Sequence, residues 1–106
     1  MPKYLVETTY TPEGVRALQK DTASGRREAV TKLLQSVDGK LEAFYFAMGD
    51  RDVVTIVDLP DAVSAAAVSL TGSATGLFKV RTTPLLSAEE VDRALGRKLT
   101  FRGPGQ

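Results

Sequence analysis

Between Gly39 and Pro60 lie two apolar runs, Leu41-Glu-Ala-Phe-Tyr-Phe-Ala47 and Val53-Val-Thr-Ile-Val57, joined by Gly49-Asp50-Arg51-Asp52. Aromatic and β-branched runs on either side of a Gly/Asp cluster read as a β-hairpin. Val53 to Val57 does not alternate between apolar and polar residues. Leu41 to Ala47 places Phe44, Phe46 and Met48 on one face and Leu41, Ala43, Tyr45 and Ala47 on the other. A sheet wetted on one face alternates, so strands apolar on both faces need cover on both. At the tip, Gly49 is expected to take a positive φ, and Asp50 or Asp52 to make an Asx-type bond. Two carboxylates fall short of the six or more oxygens that calcium takes, so the tip reads as a turn.

The flanking sequence supplies the other elements. Lys3 to Tyr10 is a strand, with Glu7 on the Leu5/Thr9 face and Tyr4, Val6, Thr8 and Tyr10 on the opposite one. Thr11-Pro12-Glu13 opens a helix: Thr11 caps, Pro12 fits the first helical position, Glu13 favours the positive end. Val15 and Leu18 give its stripe. Asp21 to Gly25 reads as loop, and helical spacing resumes from Arg26 through Ala29, Val30, Leu33, Leu34 and Val37, with Gly39 as the stop. Arg26 and Arg27 oppose the dipole there; they could face an anion or an acidic partner, and plain solvation is the preferred reading.

Leu59-Pro60-Asp61 ends the third strand and caps a helix over about residues 62–71. Residues 62–78 carry no charge, and Ala dominates the helix. A surface helix normally shows water a charged face, so this outer face is expected to be covered by another subunit or by the C-terminal helix. Gly72 to Gly76 lacks the ending of a phosphate loop and reads as a connector at a cleft mouth. Phe78 to Leu85 is the fourth strand, with Pro84 suited to an edge. Ser87-Ala-Glu-Glu90 is a capping box before a last helix carrying Val91 and Leu95.

The order β-α-β-β-α-β plus a terminal helix is the α+β, ferredoxin-like split pattern. Its two crossover helices cover one face of the sheet. A second copy is the most economical cover for the other face, giving a sheet-to-sheet dimeric α/β barrel and a homodimer or higher even oligomer. Residues 1–97 form the domain and 98–106 a flexible basic tail.

The 106 residues carry 14 Lys and Arg against 13 Asp and Glu, too even a balance to attract nucleic acid. Cysteine and histidine are both absent. That removes disulfides, zinc fingers, and Ser-His or Cys-His nucleophiles, and no metal or cofactor is expected. Strand residues follow Met1 with no signal-peptide core, and no stretch is apolar enough to span a bilayer, so a cytoplasmic protein without membrane attachment is expected.

Several ordered segments resemble the GYD domain family, small bacterial proteins named for a Gly-Asp-Tyr-Asp-like segment at the hairpin tip. They are Lys3-Tyr4-Leu5-Val6, Tyr10-Thr11-Pro12-Glu13-Gly14, Arg26-Arg27-Glu28-Ala29-Val30, Gly39 to Phe46, and Asp58-Leu59-Pro60-Asp61. The resemblance implies membership of the dimeric α/β-barrel group, which includes antibiotic-biosynthesis monooxygenase-like proteins. Where the family has an aromatic in its name motif, this chain has Arg51.

Polar strand residues facing a cleft between sheet and helices are the candidate ligand-binding groups: Glu7, Glu42, Tyr45, Lys79 and Arg81. A carboxylate in an apolar cleft acquires a raised pKa and can act as a base. A tyrosine hydroxyl can orient an enolate-like oxygen, and Arg81 can grip a carboxylate at two points. The plain alternative is that these side chains form intersubunit salt bridges and edge charges. Three function classes stay open: a barrel binding a small organic molecule, a cofactor-independent monooxygenase-like or isomerase-like enzyme, and a structural or regulatory oligomer without ligand.

Overall fold

The computed structural model describes every residue, Met1–Gln106. Its elements are β1 (Lys3–Tyr10), α1 (Pro12–Gln19), α2 (Ala23–Gln35), β2 (Lys40–Phe46), β3 (Val53–Asp58), α3 (Ala62–Ser73), β4 (Phe78–Leu85) and α4 (Ala88–Leu95). The chain is α+β, with one antiparallel sheet in the order β2-β3-β1-β4. Helix α2 packs on β2 and α3 on β4.

Each helix begins where a side chain satisfies an orphan amide. Thr11 Oγ1 accepts from Gly14 N at 3.1 Å and Asp61 Oδ1 from Ser64 N at 2.8 Å. Ser87 and Glu90 cap each other reciprocally. The Ser64 amide holds the Asp61 carboxyl below its usual pKa, as the Ser87 amide does for Glu90. Helix α2 starts earlier than the loop-like composition of 21–25 suggests, because Thr22 Oγ1 accepts from Gly25 N at 2.8 Å.

Side chains of β1 and β3 alternate between faces. Tyr4, Val53, Thr55 and Val57 are buried on the helix-covered face. The core gathers Tyr4, Leu34, Val57, Leu59 and Ala65, with Val6, Val30, Val37, Leu41 and Val68 packed around them. Leu41 departs from the sequence reading. It pairs with Val57, whereas Ala43 pairs with Ile56, leaving Glu42 as an extra residue in a β-bulge. One added residue reverses the facing of everything before it, so Leu41 joins the core instead of the Ala43 and Tyr45 side.

Two glycines sit differently from expectation. The left-handed residue after α2 is Asp38 (φ 59°), and Gly39 follows it with its amide donating to Leu34 O at 2.7 Å. Gly49 has no positive φ, and a Cβ there would meet nothing within 4 Å. The tip is held instead by Asp52, whose carboxylate accepts from Tyr10 N at 2.7 Å.

The outer face of α3 stays uncovered by α4: Val63 is 77% and Leu70 70% exposed. Leu85 lies opposite Lys3, so β4 delivers the chain to the start of β1, and α4 runs outward from there. Every residue from Leu86 to Arg102 is exposed. No helix is long and apolar enough to cross a membrane.

Candidate functional site

The pairing register places Glu7, Tyr45, Lys79 and Arg81 on the sheet face turned away from the helices, and Glu42 joins them through its contact with Lys3. Tyr45 lies opposite Val54, Val54 opposite Glu7, and Glu7 opposite Arg81, so these four make one row across the sheet. Lys79 stands opposite Thr9, one row further along the same face. Glu42, the bulge residue, reaches Lys3 Nζ at 3.1 Å, and Asp58 reaches the same ammonium at 2.8 Å. These hydrogen bonds, the Asp58 one first, raise the Lys3 pKa. The expectation that the five line a cleft between sheet and helices is therefore corrected. Strand period 2 puts residues 7, 79 and 81 on the face opposite residues 8, 80 and 82, and the helices cover the latter.

Arg51, at the hairpin tip, does not project into solvent. It folds back over the open face, with Nε 3.6 Å from Glu7 Oε2 and only 27% of the side chain exposed. That Nε is shielded from solvent and has no hydrogen-bond acceptor.

The cavity between sheet and helices is built from other residues. Its volume is about 80 Å³. The sheet contributes Val6, Thr8, Phe44, Val53, Thr55 and Val80; α2 contributes Val30 and Leu33; α3 contributes Val68 and Gly72. Thr55 spends its hydroxyl on Val6 O at 3.1 Å, leaving that wall effectively apolar. Gly72 matters for space: a Cβ there would come within 2.9 Å of the Phe78 ring and 3.3 Å of Val80.

Polar groups gather at one end, where Tyr10, Arg26 and Phe78 separate this cavity from an outer cleft of about 160 Å³. The Tyr10 and Phe78 rings meet edge to face at 6.0 Å. Burial pushes the Tyr10 hydroxyl above its ordinary pKa of 10.0, and the neighbouring Arg26 guanidinium partly offsets that. Asp21 lies 3.8 Å from Arg26 in the outer cleft. A phenol that stays protonated at neutral pH is a hydrogen-bond donor and not a base. The Arg26 guanidinium beside it carries further donors.

The sequence reading preferred solvent to an anion partner for Arg26. A signal was present: Arg26, Val30 and Leu33 fall at i, i+4 and i+7 of α2, so this Arg belongs to the apolar stripe. Tyr10 falls by alternation on the Tyr4, Val6 and Thr8 face, as the sequence indicated. The segment read as a connector from Gly72 begins inside α3, which runs to Ser73: Gly72 is buried in the wall of the inner cavity, and Thr75 lines the outer cleft.

No group of side chains clusters in a way that could hold a metal ion. Neither the curated proteins nor the solved structures contain a significant match to this chain. The sequence model of the GYD domain does match, from residue 4 to residue 95, which takes in every strand and helix of the fold except the first residue of β1. The chain belongs to the GYD domain family.

Proposed function

We propose that this GYD domain protein binds a compact, largely apolar molecule through one oxygen-bearing end, in the cavity between sheet and helices. The segregation of its lining carries the reading: walls that are apolar apart from Thr8 and Thr55, with Tyr10 and Arg26 together at one end. Volume limits the ligand. About 80 Å³ is smaller than the roughly 150 Å³ that accommodates benzene in an engineered cavity. A ring or short chain enters only if Tyr10 and Phe78 swing aside and join the cavity to the outer cleft.

The same proposal takes the subunit as ferredoxin-like and the working form as a dimer joined through the open sheet face in a dimeric α/β barrel. Leu5, Ala43, Val54 and Ile56 support it, being apolar side chains on the face that no helix covers. Glu7, Glu42, Tyr45, Lys79 and Arg81 then belong to the subunit contact, and the ligand end falls to Tyr10 and Arg26.

One observation favours a second, enzymatic reading. A neutral phenol beside a guanidinium, at the end of an apolar chamber, stabilises negative charge developing on an enolate or phenolate oxygen. A cofactor-independent monooxygenase-like or isomerase-like reaction would use that feature.

The test is an NMR titration of the intact protein with benzoate and with toluene. Benzoate is expected to perturb Tyr10, Arg26, Val30 and Phe78 and to bind more tightly than toluene, and Arg26→Met should abolish the preference. Perturbations confined to Tyr45, Glu7 and Arg81, or none at all, would defeat the cavity reading. Native mass spectrometry of the purified protein, for a co-purified small molecule, separates a resident ligand from a transient substrate.

A further inference from the structure

We infer that Asp21 sets the charge of the ligand: the cavity takes a molecule whose oxygen end is an uncharged carbonyl or hydroxyl, and it turns carboxylates away. The inference rests on the cavity reading above and adds the class of the polar end and the residue that selects it.

The first observation is that the place for an anion is already filled. Arg26 lies in the first turns of α2, where the helix N-terminus and the guanidinium both favour negative charge. Asp21 occupies that position. Its Oδ1 accepts from Thr22 N at 2.8 Å, and its Oδ2 lies 3.8 Å from a guanidinium nitrogen of Arg26. The carboxylate is seated closely against the start of the helix, since a Cβ at Gly25 would collide with Asp21 Oδ1. Glycine there leaves room for this internal carboxylate. The Gly25 amide, which an incoming anion could otherwise use, is spent on Thr22 Oγ1 at 2.8 Å.

The second observation is the balance of charge. Tyr10 and Arg26 border both the inner cavity and the outer cleft, and Asp21 lines the outer one. Asp52 is also close, with Oδ2 2.7 Å from Tyr10 N. One guanidinium thus stands among two carboxylates, and both of those negative charges act to hold the Tyr10 proton in place. The neighbouring cations lie elsewhere: Arg27 borders a hollow with Phe44 and Phe46, and Arg16 and Lys20 border another with Glu13.

A bound carboxylate would bring a third negative charge to this end and compete with Asp21 for Arg26. It would also shed water for largely apolar walls, which is costly for an ion. A carbonyl or hydroxyl oxygen accepts a hydrogen bond from the protonated Tyr10 without either penalty.

The experiment compares two probes of nearly equal size on the intact protein at pH 7: acetophenone, which is uncharged, and benzoate, which carries a charged oxygen in place of the methyl group. Acetophenone is expected to bind at least fivefold more tightly than benzoate, with toluene weakest, read from the NMR shifts of Tyr10, Arg26, Val30 and Phe78. Asp21→Asn keeps an oxygen to accept from Thr22 N and removes the charge, so it should narrow the acetophenone-to-benzoate ratio at least threefold. Glu13→Gln removes a carboxylate outside both spaces and should leave the ratio unchanged. Benzoate binding as tightly as acetophenone, or a ratio that Asp21→Asn moves no more than Glu13→Gln does, would overturn the role of Asp21 and leave the cavity reading standing. Shifts at these four residues from none of the three probes would overturn the cavity reading and the inference with it.

Discussion

The Asp52 carboxylate accepts a 2.7 Å hydrogen bond from the amide of Tyr10, fastening the hairpin tip to the strand end that forms the polar rim of the cavity. The same residue's amide donates to Thr8 O at 2.9 Å, so Asp52 closes the β1–β3 ladder with both backbone and side chain. Asp52→Ala leaves a half-buried amide without its charged acceptor. A loss of about 1.5–3 kcal/mol is expected in urea unfolding. Gly49→Ala, three residues away, should change stability by less than about 0.5 kcal/mol, since its backbone is unstrained and the space beside it is empty. A larger loss for Gly49→Ala than for Asp52→Ala would refute this account of the tip.

Gly14 is the more demanding glycine. It is buried, and a Cβ there would run into the carbonyl of Leu77, which cannot rotate away because that oxygen accepts from Thr11 N at 3.0 Å. Gly14→Ala must push α1 off the start of β4, at an expected cost of about 1–3 kcal/mol. It should also widen the outer cleft that Gly14 lines. Thermal unfolding tests the first effect, and benzoate affinity tests the second.

Alkaline pH should weaken the fold through Tyr10. Burial raises the folded-state pKa of this hydroxyl, so above about pH 10 the unfolded chain loses the proton first and the folded chain retains it. Stability is therefore complete below that point and falls as pH rises through the folded value. Arg26→Met removes the cation that opposes the shift, moving the Tyr10 titration further upward. The difference in tyrosinate absorbance between wild type and Tyr10→Phe isolates this group; a titration below pH 10 would contradict its burial.

The Glu7–Arg51 pair, with an Nε that has no acceptor, should respond to assembly. A double-mutant cycle on dimer affinity with Glu7→Gln and Arg51→Met is expected to give a coupling of about 0.5–2 kcal/mol. A coupling found only in monomer stability would show that assembly leaves this pair untouched.

Much of this architecture was legible in the sequence because it follows local rules. The caps at Thr11, Asp61 and Ser87 are short patterns, and the facing of Tyr4, Val6, Thr8 and Tyr10 follows from strand alternation. The bulge at Glu42 left no mark: nothing in Lys40-Leu-Glu-Ala43 distinguishes an extra residue from a regular one, and only the pairing with Ile56 and Val57 reveals it. The site was harder to read. Charged residues within apolar strands drew attention to Glu7, Lys79 and Arg81, yet alternation does not say which face the helices will cover. The polar groups of the cavity, Tyr10 and Arg26, come from a strand end and from the first turns of α2, and they meet only through tertiary packing.

The position of β1 also bears on how the chain reaches its native state. Synthesised first, β1 sits between β3 and β4, the last two strands to be made. An emerging chain can form the β2–β3 hairpin early, but its N-terminal strand waits beside it until residues 78–85 have left the ribosome. Non-local pairings of this kind slow folding, because long loops must close before any contact rewards them. Until β4 arrives, one edge of β1 remains free to pair with a neighbouring chain.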